Sequence, residues 1–125
     1  MVARPPLLRP RDADALRAEL RRVAGESGMP LTFGGEVHDD TLVLTEFFGT
    51  RTSGMRGLAV LPSAGLGGAT VVARRPMSVA DYRMASSITH DYDGPVLQEG
   101  IRSILAVPVV VEGTPRAVLD RKSVV

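Results

Sequence analysis

The feature that most constrains the fold is the apolar run SILAVPVVVEGTPRAVL, residues 103–119. Its first part is rich in β-branched residues on both faces of an extended chain, which predicts a buried, central strand. EGT predicts a tight turn, and PRAVL begins a last strand. Pro108 cannot donate a ladder hydrogen bond, so it indicates a bulge or a free edge at that point. The expected fold is therefore built around this strand pair.

Two more strands and a helix precede this run. LTFGGEV and TLVLTEFF predict an antiparallel hairpin with HDD as its turn. Before them, a helix is predicted from Asp12, with Asp12 or Asp14 as its cap and Gly25 or Gly28 as its end. The apolar positions of this helix are Leu16, Leu20, Val23 and Ala24.

The middle of the chain contains shorter elements. GLGGATVVARR predicts a short helix that Pro76 ends, MSVADY predicts an extended piece, and ADYRMASSITHDYDGPVLQEGI predicts a mixture of helix and loop. Residues 1–11 hold three prolines and are predicted to be an extended leader. Residues 12–119 are thus expected to form one α+β domain, a central, mostly antiparallel sheet with helices on its faces.

Composition excludes several kinds of chemistry. The chain has no cysteine, so disulfides, thiolate metal sites and thiol nucleophiles are excluded. Its formal net charge is +1, and its scattered arginines lack the basic stripe of a DNA-binding domain. No segment approaches the roughly 20 apolar residues of a membrane helix, and the start MVARPPLLRPRD is not a signal peptide. We expect a cytoplasmic location and no membrane partner.

The densest polar stretch is SITHDYDGPVLQEG, which raises three alternatives. His90, Asp91 and Asp93 are residue types that bind zinc or iron, and His90 beside a carboxylate could act as an acid–base pair. Ligands so close in sequence seldom complete a coordination shell, and no Ser or Thr has a nucleophile signature. The favoured interpretation is a helix entrance, where Thr89, Asp91 or Asp93 accepts backbone N–H bonds and Pro95 lies in the first turn. We predict no catalytic site, no metal site and no stoichiometric zinc.

A glycine-rich stretch, GLGGAT, is similar to a dinucleotide-binding fingerprint. Thr70 stands where the third glycine belongs, and the surrounding elements do not look parallel. The favoured interpretation is that Gly65, Gly67 and Gly68 let a helix approach the sheet closely.

With these elements in place, residues 12–119 resemble a GAF domain. Three features carry the resemblance: the GLGG turn into a helix followed by a proline, the passage EGIRSILAVPVVVEG from helix to strand, and the order of the elements. The chain is most similar to GAF modules ahead of helix-turn-helix output domains in actinobacterial transcription regulators. Its richness in arginine, with a single lysine, is typical of a high-GC genome.

The resemblance implies a sensory module with a ligand pocket on one face of the sheet, roofed by SVADYRMASSITHDYDGPVL. Cyclic-nucleotide-binding GAF domains carry a signature that runs from an asparagine-lysine pair to an aspartate-glutamate pair. This signature is not seen here, so the resemblance does not extend to those members. It does not extend to bilin-linked or methionine-sulfoxide-reducing members either, because their cysteines are absent. A haem would need His90 or His38 as its axial ligand, and nothing else favours haem. We predict no cofactor.

The predicted ligand is small, partly apolar and held beneath residues 80–97. Tyr82 and Tyr92 are the favoured pocket residues because their hydroxyl groups require hydrogen-bond partners. The full set of predicted ligand-binding residues is Tyr82, Met84, Ile88, His90, Tyr92 and Leu97.

The leading hypothesis for function is the input module of a transcription regulator. It would be a homodimer and contact DNA only through an output domain outside these residues. A dimerisation or signal-relay module without a small ligand, or the sensor module of a histidine kinase, is the alternative. An enzyme acting through His90 with Asp91 or Asp93 is a third hypothesis, from a different class.

The tail DRKSVV, residues 120–125, is predicted to be non-native. Lys122 is the only lysine against fourteen arginines. One coding sequence for this tail, GATCGGAAGAGCGTCGTG, begins a common sequencing adapter in which the stop codon TAG comes next. The domain is therefore expected to end near Leu119, truncated and without a closing helix. Leu16, Leu20 and Val23 would then form an exposed apolar patch on a poorly stable domain.

Overall fold

The structure is a computed structural model that describes residues 10–27, 31–50 and 52–124. Within these residues the chain forms three helices and six strands. Helices α1, α2 and α3 span Pro10–Ser27, Gly65–Ala73 and Asp93–Gln98. Strands β1 to β6 span Leu31–His38, Thr41–Phe48, Ala59–Val60, Met77–Val79, Ile101–Val111 and Thr114–Val124.

The strands form one antiparallel sheet in the order β3-β2-β1-β6-β5-β4. Two-residue turns close its β1–β2 and β5–β6 hairpins: φ is 49° at Asp39 and 63° at Asp40, and 51° at Glu112 and 78° at Gly113. Positive φ at both turn positions gives a twist that matches the flanking strands. The predicted α+β class with a central antiparallel sheet is confirmed.

A bulge interrupts the pairing of β1 with β2 at Gly34 and Gly35. A Cβ atom at Gly35 would lie 1.7 Å from the carbonyl oxygen of Val43. Only glycine allows two backbones to approach so closely. The GG pair inside LTFGGEV therefore sets the register of the first hairpin.

The two faces of the sheet are covered by different elements. Ala117 packs with Leu16 and Leu20 of α1, whereas Val118, the next residue in β6, belongs to the larger core. Because successive strand residues point to opposite faces, α1 covers one face and the larger core lies on the other. Buried residues of α2, α3 and the chain between β4 and β5 complete that larger core.

Helix α1 differs from its prediction at its start and in its packing. It begins at Pro10, so Asp12 and Asp14 lie inside it rather than at its cap. Leu16 and Leu20 are only 7% and 1% exposed, so the predicted exposed patch is wrong for both. Burying a leucine stabilises a fold by about 1.5–3 kcal/mol. The side chain of Val23 and residues 1–9 of the predicted leader lie outside the described residues.

Strand β5 is buried only over its first half. The edge strand β4 pairs with Ile104, Leu105 and Ala106, and Pro108 lies beyond that pairing. Of the two predicted alternatives, a bulge or a free edge, the structure shows a free edge at Pro108, and a bulge follows between Val109 and Val110. Val109–Val111 are exposed, so the prediction that the whole run is buried is wrong for its end.

Two further predictions concern where elements end. Helix α2 ends at Ala73, where Arg74 takes a left-handed conformation with φ of 58°, so Pro76 does not end the helix. The backbone of β6 stays paired with β5 as far as Val124, past the predicted domain end at Leu119. The non-native origin of the tail stays a prediction. None of the described helices is long and apolar enough to cross a lipid bilayer.

Candidate functional site

The face of the sheet opposite α1 lies under an irregular stretch that we name the roof segment, residues 80–97. Tyr82, Ile88 and Val96 of this segment are buried in the larger core. The amide of Tyr82 donates to the carbonyl oxygen of Arg102 at 2.6 Å, which holds the start of the segment beside β5. The segment that the resemblance implied to be a roof therefore lies over the sheet.

A cavity of about 40 Å³ lies between the sheet, the start of α2 and the roof segment. Its wall consists of Phe33, Leu42, Leu44, Met55, Leu58, Val60, Gly65, Leu66, Gly67, Tyr82, Tyr92, Val96, Ile104 and Asp120. On the same scale one water needs about 10–15 Å³, whereas pockets for drug-sized ligands measure about 300–1,000 Å³. The cavity therefore fits a molecule of a few heavy atoms, and a larger ligand requires the roof segment to move.

Regular elements supply one side of the cavity. Leu42 and Leu44 alternate along β2, so both side chains face the same side of the sheet. A Cβ at Gly67 would lie 2.9 Å from the side chain of Leu42, and one at Gly68 would lie 2.1 Å from the carbonyl oxygen of Leu61. The interpretation of these glycines as a close contact between helix and sheet is confirmed at Gly67, whereas Gly68 lies close to the chain between β3 and α2, and Gly65 lies close to the ring of Tyr92.

The six predicted ligand-binding residues do not form one group. Tyr82 and Tyr92 line the cavity, and Ile88 is buried in the core nearby. Met84 is 74% exposed, so its placement in the pocket is wrong: it lies on the surface side of the roof segment. Leu97 packs at the edge of the core and lines a separate open groove of about 370 Å³ with Asp81, Arg83, Gly100, Ile101 and Arg102.

The polar cluster stands at a helix entrance, as predicted, but its side chains do not cap that helix. Helix α3 begins at Asp93, and its N-cap residue, Tyr92, makes no side-chain cap bond. The Thr89 hydroxyl instead accepts the N–H of Gly65, the first residue of α2, at 2.8 Å, and also bonds Asp91. The Tyr92 hydroxyl accepts the N–H of Leu61 at 2.8 Å. The cluster therefore ties the roof segment to the chain around α2.

His90 does not line the cavity but supports a residue that does. Its ring packs edge-on against the ring of Tyr82, with centroids 5.5 Å apart. Nδ1 lies 2.8 Å from a carboxylate oxygen of Asp93, and Nε2 lies 2.7 Å from the carbonyl oxygen of Ala85. The Ala85 carbonyl first, and then Asp93, raises the pKa of His90. Burial, followed by the Asp93 carboxylate, raises the pKa of the Tyr82 hydroxyl, so this group stays protonated.

Two buried carboxylates were missed by the sequence reasoning. Glu99 is 1% exposed and accepts bonds from the amide and the hydroxyl of Thr52, at 2.8 and 2.5 Å. Asp120 is 6% exposed and forms part of the cavity wall, although the sequence placed it in the tail. Its position follows from strand alternation, because Val118 of the same strand also faces the larger core. In the described part of the chain, no group of three or more His, Asp or Glu side chains could hold a metal ion.

No family model matches the chain. The chain is 39% identical over 109 residues to the HTH-type transcriptional activator RamA of Corynebacterium glutamicum, a match that covers 86% of this chain. It spans only 39% of the length of that activator. The similarity fits a module linked to a transcription regulator.

Solved structures identify the fold. The GAF domain of a phosphoenolpyruvate-protein phosphotransferase from Coxiella burnetii superposes with a TM-score of 0.71 at 22% identity, covering 98% of this chain and 70% of that one. The chain has the GAF fold. The nitrate-binding-site variant of NreA from Staphylococcus aureus gives a TM-score of 0.75 at 16% identity, covering 92% of this chain and 87% of that one. The free methionine-R-sulfoxide reductase from Neisseria meningitidis gives a TM-score of 0.68 at 20% identity, covering 88% of this chain and 61% of that one. The GAF resemblance predicted from sequence is confirmed, and at these identities the solved structures concern the fold alone.

Proposed function

We propose that this GAF domain is a small-molecule sensor and the input module of a transcription regulator. The observation that carries the proposal is the apolar cavity beneath the roof segment, with the hydroxyl-bearing rings of Tyr82 and Tyr92 in its wall. Apolar walls with a few polar groups are typical of sites for small organic ligands. The 39% identity to a transcriptional activator supports the regulatory part.

The proposal also covers how the complete regulator would contact DNA, its oligomeric state and its location. DNA contact would come from an output domain outside these 125 residues, since the similar activator is much longer than this chain. A homodimer and a cytoplasmic location complete the proposal. We further propose that the domain is not an enzyme, because a chain without cysteine cannot use thiol chemistry and no Ser or Thr in it has a nucleophile signature.

The size of the cavity favours a second candidate. At about 40 Å³ the cavity admits only a molecule of a few heavy atoms without movement of the roof segment. A relay module, which passes a conformational change without binding a small molecule, needs no larger space. The two candidates differ in whether any compound stabilises the folded domain.

The test is a thermal-shift screen of small organic compounds, followed by NMR on each hit. A ligand that binds the native state raises the melting temperature, and its shifts should concentrate in residues 80–97. Val60→Ile adds a methylene group at the cavity wall and should weaken binding about tenfold or more. Val72→Ile is the matched control, because Val72 is 56% exposed on α2. Shifts confined to residues 12–28, or a screen without hits, would contradict the sensor and favour the relay module.

A further inference from the structure

The His90 ring lies between two hydrogen-bond acceptors. One is a carboxylate oxygen of Asp93, 2.8 Å from Nδ1, and the other is the carbonyl oxygen of Ala85, 2.7 Å from Nε2. Neither acceptor carries a proton to donate when Asp93 is ionised. A neutral imidazole has a single N–H and can satisfy only one of them. The ring can donate to both acceptors at once only as the doubly protonated imidazolium.

These two bonds close a loop within the roof segment. They join Ala85 to Asp93, the first residue of α3, and the amide of Ala85 also donates to the carbonyl oxygen of Tyr82 at 3.3 Å. The His90 ring rests edge-on against the ring of Tyr82, a residue that is 2% exposed and lines the cavity. The ring of Tyr82 thus connects His90 to a wall of the cavity.

We propose that the His90 imidazolium is a proton-operated latch that holds residues 82–93 closed over the cavity and releases them as pH rises. The inference goes beyond the proposed function, because the opening of the roof segment can be measured with no ligand present. It assigns a pH-dependent role to a histidine that neither lines the cavity nor binds a metal.

The direction of the pH dependence follows from the groups around the ring. Asp93 and Asp91 are negative, and both favour the charged ring. The Tyr82 hydroxyl stays neutral, because burial and the Asp93 carboxylate raise its pKa. The pKa of His90 is raised in the folded state, so the latch is fully closed below the ordinary histidine value of about 6.5. It is lost as pH rises through the raised pKa of His90.

NMR titration of the whole chain tests whether the His90 ring is doubly protonated and how Asp93 affects its protonation. We expect the ring nitrogens of His90 to be both protonated at low pH and its titration midpoint to lie above about 6.5. Asp93→Asn removes the charge but keeps an acceptor oxygen, so it should lower the midpoint. A midpoint at or below about 6.5, or one unchanged in Asp93→Asn, would overturn the proposal.

Hydrogen exchange tests whether the roof segment opens when His90 loses its proton. Corrected for intrinsic rates, exchange of the Ala85 and Asp93 amides should rise about five- to tenfold as pH passes the His90 midpoint, while amides in the β5–β6 ladder change little. His90→Gln should leave roof exchange independent of pH. His38→Gln is the matched control, since His38 is an exposed residue beside the β1–β2 turn, and it should keep the wild-type dependence. Protected ladder amides show that each variant is folded, and pH-independent roof exchange in the wild type would refute the latch.

Discussion

The sheet and the roof segment enclose the same cavity, but they are held in different ways. Strands β1, β2, β5 and β6 are joined by long ladders of backbone hydrogen bonds, interrupted only by bulges. The roof segment contains most of the short helix α3 and is held beside β5 by the backbone bond from Tyr82 to Arg102, and its other ties are made by side chains. Thr89 bonds Gly65 and Tyr92 bonds Leu61, both outside the segment, whereas His90 bonds Ala85 within it.

This difference determines what each part can do. Strands in a ladder separate only when many hydrogen bonds break together. The free energy needed to open the sheet is therefore close to the free energy of global unfolding. A segment held by a few separate side-chain bonds can open locally, and each bond contributes only about 0.5–1.5 kcal/mol. The roof segment is therefore the part of the molecule where a ligand or a proton can change the structure while the sheet stays intact.

The largest effect is expected where the sheet has no room for a side chain. In Gly35→Val, Cβ would meet the carbonyl oxygen of Val43, a backbone atom that cannot move without breaking the β1–β2 register. We expect this variant to lose cooperative folding in denaturant titration, because neither backbone can move away without breaking the β1–β2 pairing and the free energy of unfolding of a small domain is only about 5–15 kcal/mol. Gly94→Ala, in the roof segment, has no atom within 4 Å of the added Cβ and should fold normally. Equal stability of the two variants would contradict the distinction between sheet and roof segment.

A smaller effect is expected on the face of the sheet covered by α1. Leu20 is 1% exposed and packs beside Leu16 and Ala117, so Leu20→Ala should lower the free energy of unfolding by about 2–5 kcal/mol. Leu61→Ala is the control, because Leu61 is 58% exposed and its removal should change stability by less than about 0.5 kcal/mol. If Leu20→Ala costs as little as its control, α1 contributes nothing to the sheet.

The sequence predicted the sheet well because its signals are local. Alternating or β-branched runs and short polar turns lie within a few residues of each other, as in the hairpin that joins β1 and β2 through Asp39 and Asp40. The GAF resemblance then added a ligand pocket on one face of the sheet. The exposed end of β5 was missed, because an apolar run does not reveal where its neighbouring strand stops.

The site was harder to predict because its bonds join residues far apart in the chain. Thr89 looks like a local helix cap, but its hydroxyl bonds Gly65, 24 positions away. Met84 is apolar and was predicted to bind the ligand, yet its side chain lies on the surface. Residue type alone does not give the direction of a side chain in a loop. Tyr82 and Tyr92 were placed correctly at the cavity because a ring with a hydroxyl group needs both an apolar contact and a polar partner.

The smallest effect is expected at the bond that ties Tyr92 to Leu61. Tyr92→Phe keeps the ring in the cavity wall but removes the oxygen that accepts the Leu61 amide at 2.8 Å. The free energy of unfolding should fall by only about 0.5–1.5 kcal/mol, because the freed amide is near solvent and can bond water. Exchange of the Leu61 amide should nevertheless rise clearly, while ladder amides such as that of Val118 follow only the small global change. If exchange of the Leu61 and Val118 amides rises equally, the roof segment does not open separately from the sheet. A ligand could then enter the cavity only when the sheet itself opens, and the difference between the ladders and the side-chain bonds would have no effect on ligand entry.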